Sequence, residues 1–115
     1  MSRDIAELIE ANITEFGDYE ITADQILARS PVFEKFKHGC AVLLKPETCD
    51  MQLWFLYVDP AHRGKGLGRN YIRRIRKKYP TYMMTLHCHE RLQDFYESLG
   101  FTVTDIDGND LRMQG

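Results

Sequence analysis

A mixed α/β domain around a single sheet is the fold class that three observations predict. The apolar run at residues 51–58 (MQLWFLYV) opens directly into a glycine-rich loop, and that loop opens a basic amphipathic helix. Helix-period and strand-period segments alternate from residue 39 onward. The length, 115 residues, suits one core and one domain spanning residues 1–115. The predicted order is helix, helix, strand, strand, helix, strand, helix, strand, strand, which is the order of a mixed α/β domain.

Residues 3–16 read as an amphipathic helix, because Ile5, Leu8, Ile9, Ile13 and Phe16 recur at helical spacing and Gly17 is placed to end it. Thr22-Ala23-Asp24-Gln25 has the form of a capping box, opening a short helix through Ile26 and Leu27. Ser30-Pro31 stops it. Residues 32–38 fit helix and strand equally. Residues 40–44 (CAVLL), between Gly39 and Pro46, read as a strand, and 46–50 as a turn. Residues 51–58 are apolar at nearly every position, as expected of a central strand buried on both faces.

Asp59-Pro60 ends that strand. Residues 68–79 read as a helix with Tyr71, Ile72, Ile75 and Tyr79 inward and the arginines and lysines outward; Pro80 ends it. Residues 82–88 (YMMTLHC) form another strand. Residues 90–99 form a helix with Leu92, Phe95, Tyr96 and Leu99 on one face and Gly100 as its terminator. Short strands at 101–104 and 110–113 close around an Asp107-Gly108-Asn109 turn.

Composition excludes several classes. Hydrophobic residues make up 43% and charged residues 28%, which removes collagen-like, disordered and mucin-like chains. No apolar run approaches the ~20 residues of a membrane span, and the first residues lack the pattern of a signal peptide. Three cysteines, Cys40, Cys49 and Cys88, without a CxxC pair, fit free thiols and a cytoplasmic location. Cys40, Cys49, His87, Cys88 and His89 have no zinc-ligand spacing, and a strand points His87 and Cys88 to opposite faces, so no metal site is expected.

The net charge of −2 is unevenly spread. Residues 1–60 carry eleven acidic and five basic side chains, and 81–115 carry six and two. Residues 61–80 carry eight basic side chains and no acidic one, which points to an anion near that segment. A buried strand, glycines and a helix N-terminus together form a phosphate cradle, since backbone N–H groups converge there without Cβ clash and the helix dipole adds positive potential. Two familiar cradles fail. A P-loop needs GxxxxGK[ST], but Gly64-Lys65 is followed by Gly66. A dinucleotide fingerprint counted from Gly64 puts Arg69 at its third glycine. What stands is Arg63-x-x-Gly66-x-Gly68.

That segment resembles the acetyl-CoA signature of the GNAT superfamily of N-acetyltransferases, Arg/Gln-x-x-Gly-x-Gly/Ala between the family's fourth strand and the following helix. A second match lies downstream: Phe95-Tyr96-Glu97-Ser98-Leu99-Gly100-Phe101 resembles the family helix ending in Tyr-x-x-x-Gly-Phe. The similarity covers residues 39–104, the expected coenzyme-binding core of a GNAT-like acyl-CoA N-acyltransferase fold with splayed central strands. The N-terminal part is short for the family, whose first strand is not recognisable here.

The resemblance implies transfer of an acetyl group from acetyl-CoA, a cosubstrate rather than a permanent cofactor, to a primary amine by direct attack. Leu56, Tyr57 and Val58 would offer backbone groups to the pantetheine arm, and one of their N–H groups, at about Tyr57 or Val58, would serve the oxyanion. N–H groups of Arg63, Gly64, Lys65, Gly66, Leu67, Gly68 and Arg69 would hold the pyrophosphate, and Tyr96 would be the acid for the leaving thiolate. His89 stands where the family usually has Asn; it is a coenzyme contact or, since imidazole accepts protons near neutrality, a base. Gln52 occupies the position of a glutamate base found in some members, so Asp50 is the nearest carboxylate and a water relay the alternative. The acceptor is not specified, as small molecule or protein, although an acidic N-terminal half favours a cationic amine. The outward basic helix face reads most simply as solvated, with attraction of the coenzyme phosphates or of an acidic partner beside it. The chain is expected to be a monomer or homodimer. The alternative is a catalytically silent GNAT-fold module binding coenzyme A or a protein partner. Nucleic-acid binding is disfavoured by the net charge and the lack of aromatic stacking pairs.

Overall fold

The computed structural model describes residues 2–16, 20–45 and 50–115. Gly17, Cys49 and the 46–49 part of the expected turn lie outside the described residues. The first helix, α1 (Ser2–Ala11), buries Ile5, Ala6 and Ile9 on one stripe. It stops earlier than the spacing predicts, and a 3-10 turn, Ile13–Glu15, follows. The cause is Asn12. Its Nδ2 donates to the Leu8 carbonyl at 2.8 Å and its N–H reaches back to Ile9, so the helical ladder is diverted at that residue. The capping box is present: Thr22 Oγ1 accepts the Gln25 N–H at 3.2 Å and Gln25 Oε1 accepts the Thr22 N–H at 2.9 Å, opening α2 (Ala23–Ala28).

The strands are β1 (Val32–Phe36), β2 (Gly39–Leu44), β3 (Asp50–Val58), β4 (Met83–His89), β5 (Thr102–Asp107) and β6 (Asp110–Gln114). They form one six-stranded sheet in the order β1-β2-β3-β4-β6-β5. The segment that fitted helix and strand equally is thus the edge strand β1, paired antiparallel with β2 through the tight turn at Lys37 and His38. Only β3 and β4 run parallel, and the helix α3 (Leu67–Lys78) makes the crossover between them. The short α4 (Gln93–Glu97) follows a 3-10 turn, Glu90–Leu92. The predicted 90–99 helix is therefore two short pieces, and Leu92, expected on its inner face, is exposed.

Two helical layers sandwich the sheet. Tyr71, Ile72 and Ile75 of α3 and Tyr96 of α4 pack with Ala41, Leu43, Met51, Leu53, Met84 and Leu86 on one face. Ile5 and Ile9 of α1 and Ile26 of α2 pack with Cys40, Val42, Phe55 and Tyr57 on the other. The change of face along β3 has a local cause. Val42 pairs with Phe55 but Leu43 pairs with Leu53, so Trp54 is an extra residue in β3. A bulge of this kind advances the strand by one residue, and side chains two apart, Leu53 and Phe55, then point to opposite faces. The run MQLWFLYV is apolar at nearly every position because both faces of β3 are covered: Met51, Leu53, Leu56 and Val58 pack toward one helical layer, and Trp54, Phe55 and Tyr57 toward the other.

The basic helix departs from expectation at one residue. Arg76 turns inward, donating to the Leu99 carbonyl at 2.9 Å and lying 4.3 Å from the Phe101 ring; burial lowers its pKa. The inward end of α3 is also anchored, since the Tyr79 hydroxyl donates to Glu34 at 2.9 Å. The Asp107-Gly108-Asn109 turn forms as expected, with Gly108 at positive φ.

Candidate active site

The pairing of β3 with β4 runs from Asp50 opposite Met83 to Leu53 opposite Leu86 and stops there. Beyond that point β3 continues along β2 to Val58 and β4 along β6 to His89, so the two strands part. The bulge at Trp54 lies at the apex of the split. A cavity of about 730 Å³ occupies the gap, within the usual range for a ligand site. It is lined from one face by the α3 N-terminus and α4, and from the other by Glu15 and Phe16 of the turn after α1. The split therefore connects the two faces of the sheet.

Backbone direction follows from alternation. The Asp59 N–H donates to the His38 carbonyl at 2.8 Å, and a Cβ on Gly39 would meet the Tyr57 carbonyl, so the main-chain groups of Tyr57 and Asp59 face β2. Those of Leu56 and Val58 then face the gap. Tyr57 contributes its ring to the lining instead.

The glycine loop leads from β3 into α3 at the rim of the cavity. Gly64 and Gly66 sit at φ 77° and 78°, left-handed values that favour glycine, and a Cβ on either would meet nothing within 4 Å. Gly66 is the N-cap residue of α3 and no side chain caps that helix, leaving its first-turn N–H groups for a ligand. Gly68 has no positive φ, and a Cβ there would make ordinary contacts with Phe95, Leu56 and Val58 at 3.5–4.0 Å, so packing does not demand glycine at this position. Arg69 donates to Ser98 Oγ at 3.0 Å, which ties α3 to the end of α4.

The Arg63 side chain turns back onto the protein. Its Nε–H donates to the Val58 carbonyl at 2.9 Å, its guanidinium lies 5.4 Å from the Tyr57 ring, and Nη1 pairs with Glu15 at 2.6 Å. The Glu15 carboxylate raises the Arg63 pKa. The charge of this side chain is thus used inside the protein.

Tyr96 is buried and lines the cavity, its ring edge-on to Phe95 and Phe101. Burial, with the nearby Cys88 thiol, pushes its phenol well above the ordinary tyrosine value, so it stays protonated at neutral pH. His89 also lines the cavity, and its Nδ1 accepts the Arg91 N–H at 3.1 Å. That bond caps the Glu90–Leu92 turn and places the ring proton of the neutral imidazole on Nε2.

The structure brings together Leu56, Tyr57, Val58, Arg63, Gly64, Gly66, Leu67, Gly68, Arg69, His89 and Tyr96 around one cavity. Lys65 is exposed and Asp50 lies on the paired half of β3; neither is among the lining residues. Asp50, the carboxylate nearest Gln52, stands on the closed side of the split. Sequence reasoning missed Glu15, the one carboxylate among the described lining residues. Its local pattern does not separate it from the other acids of the first fifteen residues, since its position depends on the helix break at Asn12. Cys40 and Cys88 are buried in different core clusters. Burial pushes the Cys40 thiol up to about 11 and raises that of Cys88. No helix among the described residues is long and apolar enough to cross a membrane.

Residues 23–103 match the acetyltransferase (GNAT) domain family. A curated Drosophila melanogaster relative named "Probable glucosamine 6-phosphate N-acetyltransferase" is 31% identical over 109 residues, covering 85% of this chain. The chain spans about half the length of that relative, 47%. Among solved structures, the PaiA N-acetyltransferase of Thermoplasma acidophilum in complex with coenzyme A aligns with a TM-score of 0.62 at 22% identity, covering 98% of this chain and 86% of that one. The ribosomal-protein-S18-alanine N-acetyltransferase of Escherichia coli aligns with a TM-score of 0.72 at 16% identity, covering 97% and 85%. At these identities the likeness to the two structures is one of fold.

Proposed function

The chain belongs to the GNAT acetyltransferase family, and from that premise we propose that it transfers an acetyl group from acetyl-CoA to a primary amine by direct attack. The observation that carries this reading is the split between β3 and β4 past Leu53 and Leu86, with an uncapped glycine-flanked helix end at its rim and a buried tyrosine in its wall. Acetyl-CoA supplies a thioester whose carbonyl carbon accepts the amine.

The main-chain groups of Leu56 extend the sheet ladder to the pantetheine amides, and N–H groups of the 63–69 loop hold the pyrophosphate. Val58 N–H is the donor best directed for the oxyanion. The amine nitrogen forms the new C–N bond as the C–S bond breaks. Tyr96 donates its phenolic proton to the departing thiolate and recovers one from solvent. His89, with Nδ1 engaged by Arg91, acts as an Nε2–H donor to the coenzyme. The ammonium proton leaves through the open mouth of the cavity to water, so the amine reacts in its neutral form, and the attacking nitrogen loses a second proton to water as the amide forms.

A coenzyme-release assay across small amines and peptides tests the reading. Wild type should release coenzyme A with at least one amine. Tyr96→Phe, which keeps the ring and its packing, should lower kcat roughly 10²–10⁴-fold with acetyl-CoA affinity unchanged. Activity within twofold of wild type would make Tyr96 structural. One observation favours a second reading: the single carboxylate among the described lining residues is tied to Arg63. Acetyl-CoA binding without turnover of any amine would select that reading, a silent coenzyme-binding module.

A further inference from the structure

We propose that Glu15 is the acceptor-binding residue, receiving the acceptor as a cation and selecting aliphatic ammonium groups over neutral amines. The inference rests on the reading of the cavity as an acetyl-transfer site. The split in the sheet has two mouths. The cradle for the coenzyme phosphates, Gly64 to Arg69, lies with α3 on one face. Glu15 and Phe16 lie on the other, where Phe16 stacks edge-on against Phe55 at 5.0 Å. An acceptor meeting a thioester held in the gap must come from the face the coenzyme leaves open, and Glu15 stands at that mouth.

Its position is held from both walls of the split. Arg63, after β3, pairs with its carboxylate at 2.6 Å, and Arg91, after β4, donates to its backbone carbonyl at 3.4 Å. The carboxylate is thus fixed in place by contacts that leave it partly open, with its side chain 34% exposed. Arg63 engages Oε1, and Oε2 is the atom that takes a second cation. The other charged side chains of the lining are Arg63, Arg69 and Arg91, set among aliphatic and aromatic residues. In this wall Glu15 is the one carboxylate among the described lining residues, and a carboxylate favours an ammonium ion over a neutral amine or an anion.

The test uses the full chain loaded with coenzyme A, titrated with cadaverine, cationic at neutral pH, and with aniline, neutral there. A charge-assisted contact of this kind predicts that Glu15→Gln weakens cadaverine binding roughly 10–100-fold while aniline and acetyl-CoA affinities stay within about twofold. Glu15→Asp should recover part of the loss. In turnover the same variants should change KM for cadaverine and leave kcat close to wild type. An unchanged cadaverine affinity in Glu15→Gln overturns the proposal, as does a wild type that binds no cadaverine at millimolar concentration. A parallel loss of acetyl-CoA affinity overturns it too, since Glu15 would then serve only to brace Arg63. Cadaverine binding that depends on Glu15 without coenzyme release by any amine would leave the cation site standing and remove acetyl transfer. Turnover that ignores Glu15 would do the reverse.

Discussion

His89 is held by its own ring. Nδ1 accepts the Arg91 N–H at 3.1 Å, so a proton arriving at that nitrogen would break the cap of the turn leading into α4. A base role therefore works against the local structure, whereas a donor role through Nε2 does not. Asparagine has an acceptor for the same N–H and a donor for the coenzyme, so His89→Asn should leave Tm, acetyl-CoA affinity and the pH–rate profile close to wild type. His89→Ala removes the cap and should cost about 1 kcal/mol in a denaturant titration. A collapse of kcat in the Asn variant with affinity intact would instead make His89 the proton acceptor. At this scale the sequence was informative where a residue's placement follows from its neighbours in the chain: Gly64, Gly66 and Gly68 lie within one short stretch, and Tyr96 within one helix, and all four line the cavity. Arg63 and Glu15 were opaque for the opposite reason. Each is defined by the other across the fold, and the pair exists only because Asn12 breaks the first helix.

The elements were readable to the extent that one periodicity governed them. The capping box at Thr22 and the stripe of α3 are local signals, and both formed as the pattern required. Val32–Phe36 carries Val32, Phe33 and Phe36, a spacing that suits either element, and its pairing with β2 decided it. In β3 the apolar run concealed a bulge, because Trp54 disturbs the alternation without adding a polar residue or glycine that would mark it. The β2–β3 pairing on which this depends is tight at Gly39. A Cβ there would lie 2.2 Å from the Tyr57 carbonyl oxygen and 3.0 Å from the Tyr71 ring. Neither a strand backbone nor a stacked, buried ring can yield easily, and Tyr71 is stacked on Phe36 at 4.0 Å. Gly39→Ala should therefore lower stability by roughly 1–3 kcal/mol, read as a lower urea midpoint at unchanged slope. A midpoint equal to wild type would mean that the hairpin can slide without loss.

For the whole molecule, the split that makes the site also removes pairing from the middle of the sheet. β3 and β4 share only four paired positions, and the two halves are otherwise joined by α3 and by contacts such as Arg69 with Ser98 and Arg76 with Leu99. A ligand whose backbone-like amides fill the gap would bridge the halves, so coenzyme binding and global stability should be coupled. Binding to the native state alone stabilises by about 2.7 kcal/mol at a ligand concentration of 100 times Kd. For a chain of this size that corresponds to a rise in Tm of about 10 °C. Gly66→Asp separates the site from the fold. A Cβ at Gly66 meets no neighbour within 4 Å, so the cost to the free protein is the left-handed backbone, which aspartate tolerates better than most residues. Its carboxylate would stand at the uncapped end of α3, where the phosphates are to be held. The variant should then melt within a few degrees of wild type without ligand and show no shift with acetyl-CoA. A full shift in Gly66→Asp would move the phosphate site away from this loop, and no shift in wild type at millimolar acetyl-CoA would leave the gap between β3 and β4 without its proposed occupant.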